Sequence, residues 1–199
     1  MRVIAGTFRG RRLAAPKGKR FVRPTTDRVK ESVFSILREQ VVDANFLDLC
    51  AGTGSIGIEA LSRGAKHVTF LDRDPRCIAM IERNLDVCGL TVEPRARYSL
   101  LCCDVLKGIA SLHKRAVVFE VIYFDPPYGV GLGDNSQNSI ERYAASLAFL
   151  AETMLLETDG TLLVEHAKQV VLPDAVGSLI RDRQTRYGDT LVSFYQRNL

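Results

Sequence analysis

Two rhythms run along this chain: short apolar runs with few interruptions, and longer stretches in which apolar residues return every three or four positions. The runs Phe46 to Cys50, His67 to Leu71, Arg97 to Cys103, Val117 to Phe124 and Gly160 to Glu165 are rich in β-branched, aromatic and aliphatic residues, which predicts buried strands. Between them Ser55 to Arg63, Pro75 to Cys88, Leu106 to His113 and Ile140 to Glu157 keep helical spacing, the second with a proline in its first turn. A further helix is expected over Asp174 to Ile180. The last two runs, Asp182 to Tyr187 and Leu191 to Gln196, are separated by Gly188-Asp189, a favoured hairpin pair. Strands alternating with helices predict an α/β fold: a mostly parallel sheet covered on both faces, with the terminal hairpin adding an antiparallel strand at or near one edge.

The first forty residues break this rhythm. Arg2 to Gly6 and Gly10 to Ala14 read as two short strands around Thr7-Phe8-Arg9, Lys17 to Arg20 as a basic loop, and Thr25 or Thr26 as the cap of a helix with apolar positions Val29, Val33, Phe34 and Leu37. A length of 199 residues supports one sizeable core, so the expected division is a hairpin-plus-helix appendage over 1–40 and a main domain over 41–199.

Charge sharpens that division. Residues 1–30 hold ten Lys/Arg against the single acid Asp27; of 27 bases and 23 acids in all, 17 and 22 remain, so a +9 segment sits on a body of −5. Such asymmetry is the electrostatic footprint of a polyanion partner, and Arg9, Arg11, Arg12, Lys19, Arg20, Arg23 and Arg28 are the candidates for phosphate contacts. No apolar run approaches the roughly 20 residues of a membrane span and the N-terminus has no apolar leader core, so a cytoplasmic location is expected. The five cysteines form an odd set with no C-x-x-C pair, which disfavours a disulfide framework or a metal site.

Candidate chemistry lies at the ends of the predicted strands. The first strand runs into Asp48-Leu49-Cys50-Ala51-Gly52-Thr53-Gly54-Ser55-Ile56-Gly57, a G-x-G-x-x-G in the strand–turn–helix setting where glycines let a backbone approach a nucleotide ligand. Asp72 ends the second strand, placed for ribose hydroxyls, and Asp104 ends the third. A nicotinamide dinucleotide and S-adenosylmethionine both fit this pattern. The acid just before the glycine loop opposes a pyrophosphate and suits a cationic ammonium and sulfonium, which tips the choice to the methyl donor.

The fourth strand ends in Asp125-Pro126-Pro127-Tyr128, where two prolines stop the hydrogen-bond ladder. An exocyclic amine is a poor nucleophile because its lone pair is delocalised. The Asp125 carboxylate and the Pro126 carbonyl offer acceptors that turn that lone pair toward an electrophile, and the Tyr128 ring offers a face for a planar base.

These residues resemble the S-adenosylmethionine-dependent amino-methyltransferases, and with Arg2 to Gly6, Gly10-Arg11 and Arg23 to Glu31 the whole chain resembles the RsmD family, which methylates guanine N2 in small-subunit (16S) ribosomal RNA. The resemblance implies a Rossmann-like seven-stranded sheet, mostly parallel, with a C-terminal antiparallel hairpin and a small basic N-terminal appendage. It implies that Gly52, Thr53 and Gly54 wrap the methionine part of the donor and that Asp48 helps hold its ammonium. Asp72 would take the ribose hydroxyls, Arg73 would lie beside the adenine, and Asp104 with the Val105 N–H would read the adenine edge. Asp125 and Pro126 would orient the guanine amine while Tyr128 stacks on the base, which must leave its stack to arrive there. The partner implied is ribosomal RNA within a small subunit, met by a monomer without metal or membrane. The rival readings are a DNA or protein-amide amino-methyltransferase with the same Asp-Pro-Pro-Tyr motif, and a nicotinamide-dependent oxidoreductase.

Overall fold

The computed structural model describes residues 1–15, 25–90, 97–126 and 136–198, apart from the side chains of 136–140 and 142. Thr26 starts α1 (Asp27–Leu37) by accepting a hydrogen bond from the Val29 N–H at 3.3 Å. A 3-10 turn over Arg38–Val41 then leads into β1 (Asn45–Leu49), followed by α2 (Ser55–Ser62), β2 (His67–Asp72), α3 (Pro75–Val87), β3 (Tyr98–Cys102), α4 (Val105–Lys114) and β4 (Phe119–Phe124). The chain closes with α5 (Ser136–Glu152), β5 (Leu156–Ala167), β6 (Ala175–Val176), β7 (Leu179–Tyr187) and β8 (Thr190–Arg197).

One eight-stranded sheet results, in the order β3-β2-β1-β4-β5-β8-β7-β6. The first five strands in that order are parallel and the last three antiparallel. This is the expected α/β architecture, with seven strands of the expected kind and β6 as a two-residue addition at the edge. Side chains alternate across the pleat, so successive residues of one strand enter different cores. Phe46, Val68, Phe70, Val121, Tyr123, Val192 and Phe194 pack under α1, α2 and α3. Leu47, Leu49, Leu71, Ile122, Phe124, Leu162 and Tyr195 pack under α4 and α5. Val29, Val33, Phe34 and Leu37 of α1 belong to the first of these cores.

Four expectations change. The helix expected over Asp174 to Ile180 is an antiparallel pairing of β6 with β7, Ala175 opposite Ile180 and Val176 opposite Leu179. Gly177, at φ 53, and Ser178 make the two-residue turn between them. Apolar residues at 175, 176, 179 and 180 fit one face of a helix and a tight hairpin equally, and the Gly-Ser pair decides for the hairpin. The long helix ends at Glu152, and β5 starts at Leu156, four residues before the expected Gly160. The N-terminal hairpin reduces to a single bridge between Arg2 and Arg12.

The chain runs from β1 outward to β2 and β3 and then returns to β4 on the other side of β1. The order therefore reverses between β1 and β4, and that is where an open α/β sheet leaves a crevice at the carboxyl ends of its strands.

Candidate active site at the strand switch

Leu49 pairs with Phe124 at the carboxyl ends of β1 and β4, so the glycine loop and Asp125 leave the sheet side by side. The Asp125 N–H donates to the Leu49 carbonyl at 3.4 Å. Together these segments open into a cleft lined by Thr25, Asp48, Cys50, Ala51, Gly52, Thr53, Ser55, Ile56, Tyr123 and Asp125.

The loop's path depends on backbone that L side chains rarely adopt: φ is 61 at Cys50, 56 at Gly52 and 75 at Gly54. Gly57 has a different role. A Cβ there would lie 2.3 Å from the Phe70 ring, so its lack of a side chain lets α2 pack directly on β2. The Gly57 N–H, in the first turn of α2, donates to Asp48 Oδ2 at 2.9 Å.

Asp48 is only 2% exposed. Burial pushes its carboxyl up to about 7; the Gly57 hydrogen bond opposes that rise, and the neighbouring Asp72 charge adds to it. Asp125 is partly exposed at the surface of the cleft. Its loss of water, then the charges of Glu165 and Asp48, raise its pKa well above the usual carboxylate range. The Cys50 thiol is pushed up by burial and by the charges of Asp72, Asp125 and Asp48, which keeps it protonated.

The other sequence candidates spread along the strand ends. Asp72 accepts the Gly52 N–H at 2.8 Å on Oδ2 and the Asp74 N–H at 2.9 Å on Oδ1, so it braces the glycine loop from the neighbouring strand. Arg73 is exposed beside it. Asp104 caps α4 through the Leu106 N–H at 3.0 Å, and Val105 opens that helix. Asp48, Gly52, Thr53 and Asp125 line the cleft itself, with Gly54 and Pro126 adjoining it in sequence; Arg73, Asp104 and Val105 stand at the ends of β2 and β3. Strands lie about 4.8 Å apart, so the ends of β3, β2, β1 and β4 span about 14 Å, room for an extended nucleoside ligand. Arg9, Arg11, Arg12 and Arg28 are exposed, and Arg11 also donates to the Val87 carbonyl at 3.2 Å. Tyr128, Lys19, Arg20 and Arg23 lie outside the described residues.

Sequence reasoning missed several residues that shape the cleft. Glu165 near the end of β5 is 5% exposed and accepts hydrogen bonds from Tyr123 Oη at 2.5 Å and Thr25 Oγ1 at 3.3 Å. Its sequence signal was the one that singled out Asp48, Asp72 and Asp104, an acid at the end of a strand run. Thr25 and Asn84 carried no such signal, because their importance arises only when segments distant in sequence meet.

The Bacillus subtilis protein YlbH is 38% identical over 197 residues, covering 99% of each chain. The ribosomal RNA small subunit methyltransferase D of Haemophilus influenzae is 33% identical over 168 residues, covering 84% of this chain and 79% of its own. The solved structure of the Escherichia coli protein yhhF superposes with a TM-score of 0.78 at 26% identity, over 100% of this chain and 98% of that one. A family model described as "Conserved hypothetical protein 95" matches residues 1–196. The chain belongs to that family, the RsmD family of methyltransferases.

Proposed function

We propose that this protein methylates ribosomal RNA, transferring a methyl group from S-adenosylmethionine to the exocyclic N2 amine of a guanine in the small-subunit RNA. The observation that carries this reading is the shared cleft, in which the buried acid and glycine loop of β1 face the acceptor carboxyl of β4. The relatives named above support the substrate class.

The cleft fits the donor on its own chemistry. Asp48 and Asp125 both hold protons more tightly than free carboxyls, so a cationic ligand gains by stabilising their ionised forms, whereas a pyrophosphate would only drive them further toward the neutral form. Asp48 and the loop Gly52–Gly54 hold the amino-acid part, Asp72 and Arg73 the ribose and its surroundings, and Asp104 with Val105 the adenine edge. S-adenosylmethionine, when bound, supplies an electrophilic methyl carbon on a sulfonium. Asp125 and the Pro126 carbonyl accept the two N–H groups of the guanine amine and turn its lone pair toward the donor half of the cleft. With a cationic sulfonium bound beside it Asp125 is held as the carboxylate, and its raised proton affinity then suits it to take the proton that the nitrogen loses. Tyr128 supplies the stacking face, and Arg9, Arg11, Arg12, Lys19, Arg20, Arg23 and Arg28 hold RNA phosphates.

The decisive test is chemical mapping. Small-subunit RNA from cells lacking the gene should lose one N2-methylguanine, which returns with the intact gene and not with Asp125→Ala. That variant should lose at least about a hundredfold in turnover, the scale expected for a group that orients the nucleophile and accepts its proton, and it should still bind S-adenosylhomocysteine in calorimetry. Unchanged RNA methylation in the deletion strain removes the substrate assignment; near-normal turnover by Asp125→Ala removes the residue from catalysis.

A further inference from the structure

Two buried side chains behind the cleft make hydrogen bonds that the proposed chemistry does not use. Asn84 on α3 has no exposed surface. Its Oδ1 accepts the Ala14 N–H at 2.7 Å, and its Nδ2 donates to the Ala14 carbonyl at 3.2 Å and the Thr53 carbonyl at 2.9 Å. Thr53 stands between Gly52 and Gly54, both at positive φ, so the loop's path is set from behind by the side chain that grips its carbonyl. Glu165 does the corresponding work on the acceptor side. One of its carboxylate oxygens accepts from both Thr25 and Tyr123, which line the cleft, and Asp125 lies two residues beyond Tyr123 on the same strand path.

Ala14 follows the exposed Arg11 and Arg12, and Thr25 precedes the exposed Arg28. The N-terminal segment is therefore fastened at Ala14 to the donor loop and at Thr25 to the acceptor strand. A ligand that restrains Thr53 restrains Ala14 through the Asn84 amide, and a ligand held by Arg11, Arg12 and Arg28, which flank the two anchors in sequence, restrains both.

We propose that Asn84 and Glu165 are positioning residues that couple donor binding to RNA binding, through Ala14 on one side and Thr25 on the other. This inference rests on the RNA-methylation reading above. By linkage, each ligand raises the affinity for the other by the same factor.

The test uses the full chain, S-adenosylhomocysteine, and small ribosomal subunits isolated from cells lacking the gene. With S-adenosylhomocysteine saturating, the unaltered protein should bind the subunits about fivefold more tightly or better, and the subunits should tighten S-adenosylhomocysteine binding by an equal factor. Thr25→Val removes the hydroxyl at similar volume and should bring that factor toward one, and Thr25→Ser should restore it. Asn84→Ala should also bring it toward one, by releasing the donor loop. A merely structural role would weaken one or both affinities and leave their ratio unmoved. If the unaltered protein binds both ligands with a factor of one, or if Thr25→Val keeps the full factor, the coupling is overturned and the function stands. If the unaltered protein ignores S-adenosylhomocysteine altogether, the function falls and the coupling with it.

Discussion

Asp48 sits behind the glycine loop with, among the described residues, a single backbone donor, the Gly57 N–H, to compensate its removal from water. Carrying a carboxyl from 3.8 to about 7 corresponds to a penalty on the ionised form of about 4 kcal/mol. The sign is definite. Below about pH 4 the folded and unfolded chains both hold the proton; between about 4 and 7 only the folded chain does, so stability falls as pH rises through that window. Asp48→Asn keeps an acceptor for Gly57 and cannot ionise. Its urea midpoint should match the parent near pH 4 and exceed it at pH 8, by up to the same few kcal/mol of stability. Binding of S-adenosylmethionine at pH 8 should weaken by about tenfold or more, because the cation loses its counter-charge. Equal midpoints at pH 8 would mean that Asp48 ionises as freely in the fold as in water. At this scale the sequence showed which acids end strands but not what each one does. Asp72 takes two backbone N–H groups from its own surroundings, and Asp48 takes one and loses nearly all its water. That difference depends on packing depth and on α2 lying against β2, neither of which is local to the residue.

The elements extend this lesson to the N-terminus, where Glu59 of α2 is the pin. Its side chain has no exposure; it pairs with the equally buried Lys30 of α1 at 3.3 Å and with Arg63 at 2.8 Å, and it accepts the Ile4 and Ala5 N–H groups at 2.8 and 3.0 Å. Lys30 also donates to the Arg2 carbonyl at 2.7 Å, and burial lowers its pKa against the pull of Glu59 and Asp27. Gly6 passes so close to Ser62 that a Cβ would fall 1.8 Å from its carbonyl oxygen. The first residues thus lie directly along α2. In the sequence Lys30 is one base among ten, indistinguishable from the solvated ones, and only its meeting with a carboxylate 29 residues away reveals it as part of the core. The α1 cap and the apolar positions of that helix were legible, since they obey local spacing. Glu59→Ala removes four partners at once and leaves a buried ammonium unpaired, a change worth about 3–5 kcal/mol. Thermal unfolding should shift down accordingly, and proteolysis should begin in the first fifteen residues while the sheet stays intact. A variant as stable as the parent would mean that the N-terminal segment is held by its apolar contacts alone.

For the whole molecule the relevant quantity is the separation of charge, +9 over the first thirty residues against −5 elsewhere. The fold withdraws Lys30 from that surface and pairs Arg2 with Asp27 at 3.2 Å, yet leaves Arg9, Arg11, Arg12 and Arg28 exposed. The cleft meanwhile gathers Asp48, Asp125 and, behind them, Glu165, so a basic N-terminal surface and an acid-lined pocket lie on one molecule. Salt separates the two. Each RNA phosphate neutralised contributes about 0.7 to the slope of log K against log salt on single-stranded RNA, so replacing Arg9, Arg11, Arg12 and Arg28 together by Ala should flatten that slope by up to about 3. Affinity at low salt should fall with it, while binding of neutral-sulfur S-adenosylhomocysteine in the absence of RNA should stay as it was, since none of the four lines the cleft. Filter binding across a salt series measures the first quantity and calorimetry the second. An unchanged slope would move the RNA interface off the described N-terminal face, and a parallel loss of S-adenosylhomocysteine binding would show that these arginines support the cleft rather than the nucleic acid.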